Sequence, residues 1–106
     1  MVDARGIVRM LDEGGGPPVG LFPSLKHNRE IIDIEQGSVI VIYTDGVSEA
    51  EDVDKEQFEM DRFSIVLRKH YKESAKQIHT AIRAALKDFV GENPANDDST
   101  MMVLKF

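Results

Sequence analysis

Cysteine is absent from the 106 residues. That excludes disulfides and thiolate metal sites, and a reducing cytoplasm is the simplest setting. No apolar run approaches the ~20 residues that span a bilayer, and the first residues lack a secretory signal pattern. Basic charge is scarce: 13 Lys and Arg stand against 19 Asp and Glu, a formal net charge of −6. No basic stripe is available to neutralise phosphates, which argues against nucleic acid as a partner. Gly14-Gly15-Gly16 is followed by Pro17-Pro18, not by Gly-Lys-Ser/Thr, and no helical pattern begins there. These glycines read as a connecting loop, not a phosphate cradle.

What is present is ordinary for a soluble globular domain: 42% hydrophobic and 30% charged residues. The length allows one domain at most, with a modest core. Val39-Ile40-Val41-Ile42-Tyr43 is the most apolar stretch and lacks polar alternation. It predicts a strand buried on both faces. The strand stops at Thr44-Asp45-Gly46, where Gly46 lets the backbone turn. A carboxylate at the mouth of a buried strand is costly unless a cation meets it. A hard divalent metal ion suits Asp45, because such ions take rigidly placed carboxylate oxygens.

Around this strand the chain alternates turn signals with short periodic runs. Ile7-Val8-Arg9-Met10 predicts a short strand, and His27 to Ile34 a second, with Arg29, Ile31 and Asp33 opposite Glu30, Ile32 and Ile34. Glu35-Gln36-Gly37 would then turn the chain so that Val39 to Thr44 runs back as an antiparallel partner. Glu51-Asp52-Val53-Asp54-Lys55-Glu56 reads as a solvated charge run. A calcium loop starting at Asp52 would put its obligatory glycine on Gln57 and its bidentate Glu on Phe63.

Two helices follow. Asp61 is placed to cap the first, with Phe63, Val66, Leu67 and Tyr71 on its apolar face. Ser74 and Gln77 form a capping box for the second. Ile78, Ile82, Leu86 and Phe89 line its stripe beside Ala81 and Ala85, and Gly91 stops it. His70 and His79 lack carboxylate or histidine partners at ligand spacing and read as surface or packing residues. After the polar loop Glu92 to Ser99, Thr100 to Phe106 closes the chain as a strand, giving an α+β architecture.

Asp97-Asp98, just before this last strand, is the second acidic site. An antiparallel last strand is expected to start at the wrong end of Val39–Thr44 to meet Asp45, whereas a parallel or facing one would join the two sites. Periodicity leaves that choice open.

Ile42-Tyr43-Thr44-Asp45-Gly46-Val47-Ser48-Glu49-Ala50 resembles the Tyr-Thr-Asp-Gly-Val-x-Glu-Ala signature of bacterial SpoIIE-type phosphatases, members of the metal-dependent type 2C serine/threonine phosphatase superfamily. Asn96-Asp97-Asp98-Ser99-Thr100 is similar to that family's closing Asp-Asp-x-Thr motif, and Gly16-Pro17-Pro18-Val19-Gly20-Leu21 to its Gly-x-Pro-Leu-Gly-Leu loop. The resemblance implies part of a β-sandwich flanked by two helices, with a binuclear Mn²⁺ or Mg²⁺ centre at one end of the sandwich. It implies Asp45 and Asp97 as metal ligands, Asp98 as a ligand or an outer partner, and Gly46 as the residue that allows close packing beside the metals. Ser48 and Glu49 match the pattern without an assigned role. The implied chemistry is hydrolysis of phosphoserine or phosphothreonine by a metal-activated water, with no cysteine or serine nucleophile. The implied substrate is a regulatory protein of the anti-sigma factor antagonist type, under control of an upstream sensor or receiver domain.

The family's early Gly-Asp-x-Tyr-Asp segment, which carries the shared metal-bridging Asp, and its Gly-His-x-Pro segment have no counterpart here. Residues 1–106 therefore resemble the C-terminal portion of the domain, expected to be inactive alone and to self-associate through an exposed sheet face or edge. A haloacid-dehalogenase-type reading fails: its Asp-x-Asp-Gly-Thr would need Asp where Tyr43 stands and Thr where Val47 stands. The alternative from another class is a non-catalytic protein-interaction or regulatory module.

Overall fold

Val39–Tyr43 forms strand β1, and Met101–Lys105, at the far end of the sequence, forms β2 beside it. The computed structural model describes residues 1–12, 14, 15, 20, 23, 24, 26–93 and 99–106. Between the two strands lie a single helical turn, α1 (Asp45–Ser48), and two longer helices, α2 (Glu59–His70) and α3 (Ala75–Val90). The architecture is α+β, as expected, with both longer helices where their apolar spacing puts them. No helix among the described residues is long and apolar enough to cross a membrane.

β1 and β2 pair antiparallel, in the register Val39↔Lys105, Val41↔Val103 and Tyr43↔Met101. Directly opposed residues share a face. Val39, Val41, Tyr43, Met101 and Val103 therefore turn toward the helices, where Phe63, Leu67, Ile78 and Ile82 close a core with Val2, Val47 and Phe58. The expectation of a strand buried on both faces is corrected here. Ile42 and Met102 are each 56% exposed, because the helices cover one side of the sheet and no described element covers the other. The apolar side chains of β1 do not alternate with polar ones, yet their burial does.

The predicted hairpin is also corrected. Residues 29–35 form no strand, and β1 pairs instead with β2 and, at Val39, with Val2 through two backbone bonds of 2.8 Å. With that edge occupied, the 29–35 segment is held near its start: Asn28 bridges Gly15, and Glu30 pairs with Arg9 at 2.8 Å. The predicted strand at Ile7–Met10 reduces to one bridge, Val2 with Val8. Short alternation gave both segments a strand pattern, but a strand also needs a free partner edge.

The cap at Asp61 does not form. α2 begins at Glu59, because Phe58 is buried against the rings of Phe63 and Phe89 and its N–H donates to Ala50 O at 2.8 Å. Asp61 sits inside the first turn, where a carboxylate is still favourable. The capping box of α3 is present: Ser74 Oγ accepts from Gln77 N–H at 3.2 Å, and Gln77 Oε1 accepts from Ser74 N–H at 3.0 Å. Gly91 ends α3 with φ +60, a conformation that favours glycine, and its N–H donates to Lys87 O. His70, read as partnerless, pairs through Nδ1 with Glu73 Oε2 at 2.5 Å, since the chain turns back just after α2.

Ile42, Met102, Leu104 and Phe106 together make an exposed apolar surface of a kind soluble monomers seldom leave uncovered. Light scattering at rising concentration is expected to show the chain self-associating, and the double substitution Ile42→Glu, Met102→Lys to return it to a monomer. An unaltered chain that stays monomeric at high concentration would sink this expectation.

Candidate functional site

The end of β1 and the start of β2 are locked by more than the ladder. Thr44 N–H donates to Thr100 O at 3.0 Å, and Thr100 N–H donates to Thr44 Oγ1 at 3.0 Å. The pairing thus runs one residue past Tyr43↔Met101, with a side-chain oxygen completing it. This corrects the expected geometry of the last strand. An antiparallel partner reverses direction, so its start lies beside the end of β1 and not at the wrong end. Asp45 follows Thr44 directly, and Asp98 precedes Thr100 by two residues.

Asp45 opens α1. Its carbonyl accepts from Glu49 N–H at 2.8 Å and from Ser48 Oγ at 3.4 Å, so Ser48 serves the local turn. Val47 N–H donates to Thr44 O at 2.9 Å, and the Val47 side chain is buried in the core. Burying Val47 fixes the turn and leaves Asp45 on the outside, exposed. Gly46 does not supply a left-handed turn: it lies within α1 and has no positive φ. The expected turn is a helical one, which needs no glycine for its dihedral angles.

The Asp45 carboxylate takes no hydrogen bond and no ion pair among the described residues. Its charge is felt next door. The Tyr43 hydroxyl is pushed above its ordinary pKa, first by burial and second by the negative charge of Asp45. That hydroxyl donates to Met60 Sδ at 2.8 Å, which pins the end of β1 to α2.

Behind α1 the acidic connector is folded, not merely solvated. Asp52 Oδ1 accepts from Asp54 N–H and Glu56 N–H, each at 2.9 Å, and Glu51 bridges Gln57. Asn93, just past α3, donates through Nδ2 to Glu51 O and to Asp52 O, both at 3.0 Å. Sequence reasoning missed Thr44, Thr100 and Asn93. The two threonines flank the acidic motifs and could have been flagged by position, whereas nothing local in Glu92-Asn93-Pro94 signals its distant carbonyl partners.

Asp97 and Asp98 lie outside the described residues, as do Val19, Leu21 and most of the glycine-proline loop. Among the described residues no group of three or more His, Cys, Asp or Glu side chains could hold a metal ion. What Asp45 offers is one exposed carboxylate with no cation paired to it among the described residues. That fits a hard divalent ion in donor type and leaves the remaining ligands to be supplied by other residues. Surface concavities of 380 and 480 Å³, the first lined by Asp3, Arg9 and Glu30 and the second by Lys55, Glu59 and Arg62, do not include Asp45.

The family model of Stage II sporulation protein E (SpoIIE) matches residues 1–106, the whole chain. The chain belongs to the SpoIIE family. Among solved structures, the chain is similar to the SiaA-PP2C domain of Pseudomonas aeruginosa, with a TM-score of 0.69 and 27% identity. The match covers 76% of this chain and 34% of the SiaA chain, so the chain spans about a third of that solved domain. No curated protein sequence gives a significant match. SpoIIE membership together with likeness to a PP2C domain makes this a domain of the phosphatase type.

Proposed function

We propose that the chain is the C-terminal portion of a metal-dependent phosphatase domain that hydrolyses phosphoserine or phosphothreonine on a regulatory protein. The observation that carries this reading is the Thr44–Thr100 pair. It joins, at one end of one sheet, the strand leading into Asp45 to the strand that follows Asp97-Asp98 in sequence. Asp45 and Asp97 would hold Mn²⁺ or Mg²⁺, with Asp98 as a further ligand or an outer partner and Gly46 keeping the backbone beside Asp45 free of a side chain. Such ions, when bound, acidify water and neutralise charge on a phosphoryl group. The chain's own part is to keep Asp45 outward while Val47 and Thr44 hold its backbone still. Substrates of the anti-sigma factor antagonist type and an upstream sensor or receiver domain complete the proposal, on family resemblance, with the cytoplasm as its setting.

Purified residues 1–106 are expected to release no p-nitrophenol from p-nitrophenyl phosphate above blank with Mn²⁺. The coding sequence upstream of Met1 is expected to supply Gly-Asp-x-Tyr-Asp, and the polypeptide that includes it to dephosphorylate a phosphoserine peptide only with Mn²⁺ or Mg²⁺. A longer polypeptide without metal-dependent turnover, or an upstream sequence without that motif, would favour the non-catalytic interaction module instead.

A further inference from the structure

The acidic net charge hides where the bases lie. Residues 62–87 carry seven Lys and Arg against one acid, Glu73, a local charge of +6. The rest of the chain, with six bases and 18 acids, stands at −12. The expectation that no basic stripe exists is corrected here. Arg68, Lys69, Lys72, Lys76, Arg83 and Lys87 are all exposed on α2, α3 and the turn between them. On α3, Lys76, Arg83 and Lys87 share a row with Thr80 at spacings of four, three and four residues. A helix turns such a row to one side, here the side opposite buried Ile78 and Ile82. The row is about 16 Å long.

This arrangement does not serve the helices. Arg68 and Lys69 end α2, where the helix dipole favours cations, and that is a local reason for them. Lys76 instead stands in the first turn of α3, which holds no acid and where the dipole disfavours a cation. Arg83 and Lys87 are like charges four residues apart, a spacing that weakens a helix. The side chains of Arg68, Lys69, Lys76, Arg83 and Lys87 make no ion pair or hydrogen bond among the described residues. Glu73, the one acid within this stretch, is taken by His70.

The kind of cation and its spread point to the partner. Four of the six exposed bases are Lys, a hydrated point charge that offers no planar fork to a single anion. Neither concavity described above includes any of the six, so they do not converge on a compact ligand. Protein interfaces are depleted in Lys and build their centres from apolar and aromatic side chains. Ile65 is the one large apolar side chain exposed on α2 and α3. A diffuse layer of anionic headgroups suits a Lys-rich row better, and screening over about 8 Å at physiological salt lets the patch act despite the acidic remainder. We propose that the outward side of the α2–α3 hairpin is a peripheral docking surface for an anionic lipid bilayer. Lys76, Arg83 and Lys87 form its row, with Arg68, Lys69 and Lys72 at its end. The apolar stripes of both helices are committed to the core, so the contact is electrostatic and inserts no helix.

The test is cosedimentation of the 106-residue chain with vesicles at physiological salt. One set is phosphatidylcholine alone, and the other is equal parts phosphatidylcholine and phosphatidylglycerol. The unaltered chain is compared with the triple substitution Lys76→Gln, Arg83→Gln, Lys87→Gln and with a control of equal charge, Lys26→Gln, Arg29→Gln, Lys55→Gln. All six positions are exposed, and circular dichroism checks folding. Each is also made in the Ile42→Glu, Met102→Lys background, which removes the apolar sheet face as a lipid contact. Expected is binding to the anionic vesicles only, weakening as salt rises and unchanged by that background. The α3 triple should bind about a hundredfold more weakly, at about fivefold per charge, and the control within about threefold of the unaltered chain. Comparable loss in both triples makes the effect one of net charge and overturns the proposal. Binding to neutral vesicles, or binding lost with Ile42→Glu, Met102→Lys, assigns the contact to the sheet face and overturns it too. No binding to either vesicle, with binding of poly-L-glutamate that the α3 triple abolishes, overturns it in favour of an acidic protein partner.

Discussion

Phe63→Ala is expected to remove about 3–5 kcal/mol of folding stability, the largest single loss in the molecule. Phe63 is 1% exposed and stands at the meeting point of the sheet and the helices. Its ring centroid lies 5.0 Å from that of Tyr43 on β1 and 6.3 Å from that of Phe58 at the entry to α2. Phe58 in turn packs edge-on against Phe89 of α3 at 5.4 Å. Truncating Phe63 opens a cavity in the middle of this row of rings. Domains of this size have total stabilities near the low end of about 5–15 kcal/mol, so one substitution takes much of the margin. With a urea slope of about 2 kcal/mol per molar, the midpoint followed by circular dichroism should fall by about 2 M. A fall under about 0.5 M would mean that the site collapses around the missing ring and that Phe63 does not hold the layers together.

Asp45→Asn is expected to act in the opposite way, sparing the fold and removing metal affinity. Asp45 is exposed, and only its backbone carbonyl takes part in α1, so the amide should change stability by no more than about 0.5 kcal/mol. What it loses is the formal charge that a hard cation requires. Mn²⁺ affinity should drop more than about a hundredfold, beyond the reach of a residue that acts only through another. The Tyr43 hydroxyl offers an independent check. Asp45 is the second cause of its raised pKa, so the substitution should lower the Tyr43 titration toward its ordinary value while burial keeps it above. The chain has two tyrosines, and a Tyr71→Phe background isolates the signal by phenolate absorbance. Unchanged Tyr43 titration would place the Asp45 charge away from the end of β1, and unchanged Mn²⁺ affinity would remove Asp45 from the metal site.

Family membership sharpens both expectations. A SpoIIE match over residues 1–106, with the likeness to a PP2C domain, makes the domain one of the phosphatase type. The coverage of 34% of the SiaA chain sets the described sheet within a larger architecture in that relative. The side of β1 and β2 that no described element covers is the place where added structure, or another copy, would remove Ile42 and Met102 from water.

Much of the fold was legible without coordinates, for a physical reason. Helix stripes, the Ser74–Gln77 box and the Gly91 stop depend on residues three or four positions apart, and such local interactions are written in the spacing itself. Asp45 at a strand end was legible in the same way, because an apolar run that breaks at Thr-Asp-Gly marks its own boundary. Pairing was not legible. Whether β1 takes residues 29–35, Val2 or β2 as its neighbour depends on which edge is free once the chain has collapsed, and alternation in each segment carries no information about the others. The one-sided burial of an all-apolar strand followed from that choice. So did the meeting of Thr44 with Thr100, which sets the start of the antiparallel partner beside the end of β1. The two Asn93 bonds were out of reach for the same reason: their acceptors are backbone carbonyls, present at every residue, and only the tertiary fold selects which two Asn93 meets.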